Sequence, residues 1–216
     1  MSRTLGILST LAAVLALSAV MASAASALGT FTAGKYPTTW TAVSALGNDT
    51  FTVDGVPVNC QAHSEGTLHG PSSHLLVTVN YTNCKLGALG ASVATSSCQY
   101  TFETPAKVKV DHYTAPVQMA CVAGGSITIK APAATGETCH IAVTPQTPVG
   151  GVTIVDNTPA GDVTVQANIA GIHVHIIKDS FGCPLAGTGT RTNAAYSQKE
   201  PVTYDSTNGE PISVSG

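Results

Sequence analysis

Apolar and polar residues alternate with a period of two along most of the chain after residue 27. In residues 74–81, for example, Leu75, Val77 and Val79 fall on one face and the residues between them fall on the other. Strict alternation over short segments predicts half-buried β-strands, and the abundance of Thr and Val suits a pleated sheet. The same pattern recurs at residues 98–102, 117–121, 127–129, 139–143, 152–154, 163–165 and 172–176.

The breaks between these segments carry turn signals. Asp54-Gly55 separates two apolar segments and is a two-residue hairpin signal, while Gly124-Gly125 and residues 70–73 separate further strands. After residue 27, no segment has the 3.6-residue periodicity of an amphipathic helix. We therefore predict an all-β fold, an antiparallel β-sandwich or barrel-like sandwich of roughly ten or more short strands.

Residues 1–27 have the layout of a secretory signal peptide. Arg3 supplies a basic start, an apolar stretch runs from Leu5 to about Met21, and small residues end in the cleavage triplet Ala25-Ser26-Ala27. We expect this segment to direct secretion to the extracellular space or cell surface and then to be removed. An uncleaved membrane anchor is the alternative.

We expect residues 28–216 to form a single secreted all-β domain. The length suits one domain, and no convincing linker divides it. The polar sequence from about residue 200 onward predicts a frayed tail. No second apolar stretch approaches the roughly 20 residues that a membrane-spanning helix requires, so we expect no membrane span in the mature chain.

All six cysteines follow residue 27, and an even count in an exported chain indicates three structural disulfides. Their spacing contains no C-x-x-C pair and no zinc-finger pattern. The sequence alone does not select among the possible pairings. Sequential pairing is our working hypothesis, and it joins Cys60 to Cys84, Cys98 to Cys121, and Cys139 to Cys183.

Charged residues are scarce, at 10% of the chain, and the formal net charge is −3. A nucleic-acid-binding protein needs a basic surface to neutralise phosphates, so we expect no nucleic-acid partner. Phosphate-loop, zincin and EF-hand motifs are missing, and we expect no cofactor. Most of the polarity comes from neutral side chains, which do not supply the tuned acids and bases of general acid–base catalysis.

Two pairs of histidines are the candidate metal ligands. His63 and His69 fall on one face of a predicted strand, and His173 and His175 alternate with apolar residues on another. Neutral imidazole binds Zn, Cu and Ni, and alternating histidines present two ring nitrogens on one side of a sheet. The four would form one site if the strands are neighbours. The alternative is that they are ordinary residues of a polar sheet face.

Two segments resemble catalytic clusters without supporting that interpretation. Neighbouring residues of a strand point to opposite faces, so Asp111 and His112 are poorly placed to act together, and we expect a turn there. Residues 70–74 also indicate a tight turn, and the Gly-x-Ser-x-Gly nucleophile motif is missing. We expect Trp40 to be a core or edge residue.

These observations favour a non-enzymatic structural, adhesive or binding module of the cell surface or extracellular space. Its partner would be an extracellular or cell-envelope ligand that the sequence does not identify. Two alternatives remain. One is a secreted hydrolase whose site is assembled in space from distant residues. The other is an extracellular metal-binding protein that uses the histidine faces.

Export should remove residues 1–27 and leave Leu28 as the new N-terminus, because Ala25 and Ala27 suit the small pockets of a signal peptidase. N-terminal sequencing or the intact mass of the secreted product measures the cleavage point. A mature product that retains Met21 would show that the segment is a membrane anchor.

Overall fold

The regular structure of this protein is made of β-strands. The computed structural model describes residues 28–95, 97–122, 124–133, 136–146, 150–157, 163–179, 182–207 and 210–216, and these residues contain no helix. The first half of the chain forms β1 (Thr30–Ala33), β2 (Thr38–Val43), β3 (Asp49–Val53), β4 (Val56–Leu68), β5 (Leu75–Leu86), β6 (Leu89–Gly90), β7 (Ser92–Ala94), β8 (Cys98–Phe102) and β9 (Ala106–Lys109). The second half forms β10 (His112–Cys121), β11 (Ile127–Ala133), β12 (Gly136–Val143), β13 (Gly150–Val155), β14 (Thr164–Asp179), β15 (Gly189–Gln198), β16 (Val202–Thr203), β17 (Asp205–Ser206) and β18 (Ile212–Ser215).

Eight of these strands close into a barrel. They follow the order β13-β10-β8-β5-β4-β3-β15-β14, and β14 pairs back with β13. Each neighbouring pair in the ring is antiparallel. Closure gives every strand of the ring two neighbours, which removes the exposed sheet edges that promote aggregation. The prediction of an antiparallel, barrel-like all-β fold is confirmed.

Additional strands extend this ring at one point and cover it at others. β12, β11 and β7 continue outward from β14, β2 pairs with both β4 and β17, and β1 forms a separate two-stranded sheet with β18. β14 changes partner along its length: Thr164–Ile169 pairs with β13, and Val174–Asp179 pairs with β12. Gly171 lies at this change with a φ of 71°, which favours glycine, beside register shifts in the pairing with β15.

The apolar residues form two separate cores. The first core surrounds Trp40, Leu75 and Phe102 near β2, β5 and β8. The second core includes Leu86 and Ile141, together with most of the disulfide-bonded cysteines. Burying one large apolar side chain contributes roughly 1.5–3 kcal/mol, so each core favours folding by a substantial amount. Three tyrosines, at positions 81, 100 and 196, pack against both cores and therefore lie between them.

Three disulfides reinforce the second core. They are Cys60–Cys84, Cys98–Cys121 and Cys139–Cys183, as sequential pairing predicts. The first joins β4 to β5, the second joins β8 to β10, and the third ties β12 to the segment between β14 and β15. A disulfide typically stabilises a fold by about 2–4 kcal/mol, mainly by restricting the unfolded chain.

The turns that the sequence indicates are present. Asp54 and Gly55 have φ values of 50° and 80° and connect β3 to β4, as a two-residue hairpin requires. Asp111 has a φ of 58° in the turn between β9 and β10. Asp111 therefore lies in a turn and His112 is the first residue of β10, in agreement with the turn predicted for this segment.

The described residues after residue 200 include the short strands β16, β17 and β18. Val202 and Tyr204 are buried, and Ile212 and Val214 on β18 are buried as well. The backbone N–H of Val214 donates to the carboxylate of Asp156 at 2.8 Å. Apolar residues alternate with the polar ones in this segment, so one face packs on the first core although the overall composition is polar.

Gly66 should be essential for the packing of the first core. It lies opposite Trp40 in the pairing of β4 with β2, and a Cβ at this position would lie 2.5 Å from the carbonyl oxygen of Leu76. We expect Gly66→Ala to destabilise the fold by about 1–3 kcal/mol because both the ring and the backbone would have to move. Chemical denaturation of the purified mature protein measures this loss.

Gly90→Ala is the matched control, since Gly90 also lies in a strand but has no atom within 4 Å of the position that an added Cβ would occupy. It should change stability by less than about 0.5 kcal/mol. Equal effects of the two substitutions would contradict the close packing of Gly66 against Trp40.

Candidate binding cavity

A cavity of about 130 Å³ lies inside the barrel and is lined by residues of both cores. We call it the barrel cavity. Most of its wall is apolar, with side chains such as Val79, Val165 and Ile129. The three tyrosines that lie between the cores are also part of the wall, which gives one region of it a polar character. The cavity is thus an apolar chamber with a polar layer.

Strand alternation explains why these residues face inward. On β5, Val77, Val79 and Tyr81 occupy alternate positions, and all three line the barrel cavity. On β15, Tyr196 and Gln198 do the same. Because side chains of a strand alternate between two faces, a polar residue in the inward phase is carried into the interior with its apolar neighbours.

Asp49 is the centre of the polar layer. Only 1% of its surface is exposed. Its Oδ1 accepts hydrogen bonds from the Tyr196 hydroxyl and from Gln198 Nε2, the latter at 3.2 Å. Its Oδ2 accepts from the Ser44 hydroxyl and from the backbone N–H of Ala62, the latter at 3.2 Å. Two donors on each oxygen fill the capacity of a carboxylate.

These bonds join parts of the chain that are distant in sequence. Ser44 precedes β3, Ala62 belongs to β4, and Gln198 belongs to β15. Gln198 continues the network to β14, because its Oε1 accepts from the backbone N–H of Ala167 at 2.8 Å. The Asp49 carboxylate therefore fixes the relative positions of β3, β4 and β15, which are neighbours in the barrel. The side-chain amide of Gln198 links β14 to the same network.

The three tyrosines of the polar layer are held in their neutral form. Burial, followed by the neighbouring phenols Tyr100 and Tyr196, raises the pKa of Tyr81 well above its ordinary value. Burial raises the pKa of Tyr100 to about 12, although a hydrogen bond from Tyr81 partly offsets it. Burial and then the charge of Asp49 raise the pKa of Tyr196. Near neutral pH these groups offer hydrogen bonds and do not act as bases.

A surface groove adjoins the barrel cavity. Val79 and Val93 line both the cavity and this groove, which runs beside β5, β7 and β8. The side chains of Val79 and Val93 thus form part of the wall between interior and surface. Thr95 supports this wall, because its hydroxyl donates to the carbonyl oxygen of Val79 at 2.6 Å.

The four candidate metal ligands lie on the exterior. His63 is exposed on β4, and His69 is exposed immediately after that strand. His173 and His175 are exposed on β14. β3 and β15 lie between β4 and β14 in the ring, so the strands that carry the two pairs are not neighbours.

The strand register separates the two histidine pairs further. Asp49 is opposite both Cys60 on β4 and Gln198 on β15, which defines one level of the barrel. His63 and His69 follow Cys60 and so lie on one side of this level. His175 is opposite Thr190, which precedes Gln198 on β15, and so lies on the other side. The offset is roughly 30 Å along the strands, more than two imidazoles on one metal ion can span. The structure does not bring the two pairs together, and metal binding by either pair alone remains a prediction.

The described residues contain no group of three or more His, Cys, Asp or Glu side chains that could hold a metal ion. They do contain a surface cluster that the sequence did not suggest. His74 Nδ1 is 2.9 Å from the Ser73 hydroxyl, and His74 Nε2 is 2.8 Å from a carboxylate oxygen of Glu103. Glu103 follows β8, and the pairing of β8 with β5 brings it to the turn that carries Ser73 and His74.

The residues of the barrel cavity do not stand out in the sequence. Tyr81 shares the phase of Val77 and Val79, so it resembles an ordinary core residue in the sequence. Asp49 shares the phase of Phe51 and Val53 on β3. A carboxylate in the inward phase of a strand is the signal that identifies the polar layer, because such a group must find partners inside the fold.

Comparison with known proteins finds no matching family model, no matching curated protein and no matching solved structure.

The raised pKa values predict the alkaline behaviour of the protein. Tyr81, Tyr100, Tyr196 and Tyr204 all have raised pKa values, chiefly through burial. The unfolded state therefore releases these protons at lower pH than the folded state does. The neutral phenols contribute fully to the stability of the folded protein below about pH 10. This contribution declines as the pH rises through the pKa values of the folded state, with the pKa of Tyr100 at about 12.

Ultraviolet titration of tyrosinate measures this behaviour. At pH 11 the folded protein should ionise at most two of its six tyrosines, and addition of denaturant should ionise the rest. Ionisation of four or more phenols at pH 11 in a protein that retains its β-rich circular dichroism spectrum would contradict the buried tyrosine layer.

Proposed function

We propose that this protein is a non-enzymatic binding module of the cell surface or extracellular space, and that it encloses a small, mainly apolar ligand in the barrel cavity. The observation that carries the proposal is the cavity itself, about 130 Å³ between two cores. Protein interiors are close-packed, and voids larger than a water molecule are few in a domain. An engineered apolar cavity of about 150 Å³ binds benzene, so a void of this size with an apolar wall suits a molecule of a few heavy atoms.

The state of the polar groups supports binding rather than catalysis. Asp49 already accepts four hydrogen bonds from neutral donors. The neighbouring tyrosines have raised pKa values, so they hold their protons near neutral pH. General acid–base catalysis works best with groups that exchange protons near the operating pH, and these three tyrosines do not.

Two features support an extracellular location. Three disulfides persist most readily in an oxidising environment. Residues 1–27, which lie outside the described residues, have the layout of a signal peptide. The described part of the chain contains no helix that is long and apolar enough to cross a membrane.

A secreted hydrolase remains the second candidate, and the Ser73–His74–Glu103 cluster is the observation that favours it. In Ser–His–acid hydrolases the imidazole lies between the nucleophile and the carboxylate, as His74 does here. The cluster lies outside the barrel cavity, however, and the side chain of His74 is 49% exposed. An exposed site lacks the water-excluded surroundings that strengthen electrostatic catalysis, so we favour the binding module.

Filling the barrel cavity should abolish binding. Ala167 is buried on β14 and lines the cavity. Toluene, as a small apolar probe, should bind the mature wild-type protein, and Ala167→Leu should weaken this binding at least tenfold because the added carbons occupy the ligand space. Isothermal calorimetry measures the affinity. A ligand that binds only the folded state should also raise the unfolding temperature of the wild type.

Ala170→Leu is the matched control, since Ala170 is exposed on the same strand. It should leave toluene binding unchanged. No binding to the wild type, or equal binding to the Ala167→Leu variant, would contradict the proposal. Ester, peptide or glycoside turnover that is lost in Ser73→Ala would instead establish the hydrolase.

A further inference from the structure

We propose that small ligands enter and leave the barrel cavity sideways, between β5 and β7, and that the hydrogen bond from the Thr95 hydroxyl to the carbonyl oxygen of Val79 holds this entrance closed. This inference rests on the proposed function, because an entrance matters only for a cavity that exchanges its contents. It follows from the pattern of backbone hydrogen bonds around the described wall of the barrel.

The two cores close the barrel cavity along the axis of the barrel. Trp40 and Leu75 are buried in the first core, and Leu86 and Ile141 are buried in the second. Residues of both cores line the cavity, which therefore lies between them. A ligand that moved along the axis would have to displace the close-packed side chains of a whole core, whereas a lateral route needs only a local separation of strands.

β5 has no strand partner along part of one edge. Its pairing with β8 covers residues 75–77, and its pairing with β6 covers residues 85 and 86. Among the described residues, no strand pairs with residues 78–83 on this side of β5. β7 contacts β5 but pairs only with β11. The two strands are therefore neighbours without a backbone ladder, and we call the line between them the seam.

Two valine side chains and one hydroxyl group close the seam. Val79 on β5 and Val93 on β7 are the two residues shared by the walls of the barrel cavity and the surface groove. At the end of the seam near β6, the backbone N–H of Ala91 donates to the carbonyl oxygen of Cys84 at 2.9 Å. At the other end, the Thr95 hydroxyl donates to Val79 at 2.6 Å. Apolar contacts are not directional, so the bond from Thr95 fixes the closed position.

The wall changes strand partners at a second place, and more hydrogen bonds close it there. β14 pairs with β13 up to Ile169 and with β12 from Val174 onward. Beside this change, Met119 and Gln146 exchange two backbone hydrogen bonds, both at 3.3 Å. The side chain of Gln146 also accepts from the backbone N–H of His173 at 2.9 Å and donates to its carbonyl oxygen at 3.1 Å. Opening this place would break these four hydrogen bonds, so the seam is the weaker part of the wall.

The disulfides leave the seam free to open. Cys60–Cys84 ties β5 to β4, and Cys98–Cys121 ties β8 to β10. The third disulfide joins β12 to the segment between β14 and β15, so none of the three crosses from β5 to β7. β5 and β7 can therefore separate without breaking a covalent bond or a strand ladder. Local openings of this kind cost much less free energy than global unfolding.

The exchange rates of toluene in the mature protein test the role of Thr95. Thr95→Val keeps the shape of the side chain and removes the hydroxyl group, and Thr95 is outside the cavity wall. The association and dissociation rates should both rise about two- to tenfold, which is the effect of losing one hydrogen bond, while the affinity stays unchanged. NMR exchange spectroscopy measures both rates. Thr78→Val, in the same groove, is the matched control and should leave them unchanged, since the Thr78 hydroxyl is exposed and bonds to no described residue.

A bulky group in the surface groove should have the opposite effect. Asn80 is exposed, lines the groove and is outside the cavity wall. Coupling fluorescein maleimide to Asn80→Cys should slow both rates at least about threefold without changing the affinity, because the label covers the seam from outside. The same label on Val108→Cys is the control, since Val108 is exposed on β9 and lines neither the groove nor the cavity.

The outcomes separate the entrance from the binding function. Wild-type rates in Thr95→Val or in labelled Asn80→Cys would overturn the seam as the entrance, while toluene binding to the wild type would still support the cavity. A Thr95→Val variant that changes the affinity and leaves the association rate unchanged would also overturn the inference, because the cavity and not its entrance would then be altered. Failure of toluene to bind the wild type would overturn both.

Discussion

The buried Asp49 carboxylate links β3 to β4 and β15 through its four hydrogen bonds, and this network holds the barrel together around its cavity. Removing a charge from water costs several kcal/mol, and here four neutral donors offset that cost. Hydrogen bonds to a charged group contribute about 1.5–3 kcal/mol each, so the network is of the right magnitude to hold the charge inside. The same carboxylate accepts the hydroxyl proton of Tyr196, and so couples the stability of the barrel to the polar wall of its cavity.

The polar layer also explains why the molecule has two cores instead of one. Apolar side chains above and below the layer pack among themselves, and the tyrosine rings contact both groups. The rigid ring of Tyr196, which is hydrogen-bonded to the fixed carboxylate, cannot collapse into the space between the cores. The three disulfides strengthen the second core, and Trp40 anchors the first through its stacking on Tyr204 at 4.4 Å. The cavity is the space that remains between two well-packed regions.

The sequence predicts the strands because alternation is a local property that each segment carries by itself. The six cysteines predict three disulfides but do not select their partners. Sequential pairing, our working hypothesis, matches the structure because cysteines such as Cys98 and Cys121 are opposite each other on the paired strands β8 and β10. Closure of the ring is not predictable in this way, because the pairing of β13 with β14 and of β3 with β15 depends on long-range register. The cavity is not predictable for a related reason: Tyr81 is indistinguishable from a core residue until its neighbours across the barrel are known. The two histidine pairs do not form one site because β3 and β15 lie between the strands that carry them.

The most direct test of a ligand-sized apolar chamber beside the Asp49 network is a crystal structure of the mature protein under xenon pressure. Xenon enters dry apolar cavities and needs no particular ligand chemistry. Xenon should occupy the space bounded by Val79, Ile129 and the ring of Tyr100, and Asp49 should keep its hydrogen bonds to Tyr196 and Gln198. A barrel interior filled by repacked side chains, with no xenon between the two cores, would contradict the account.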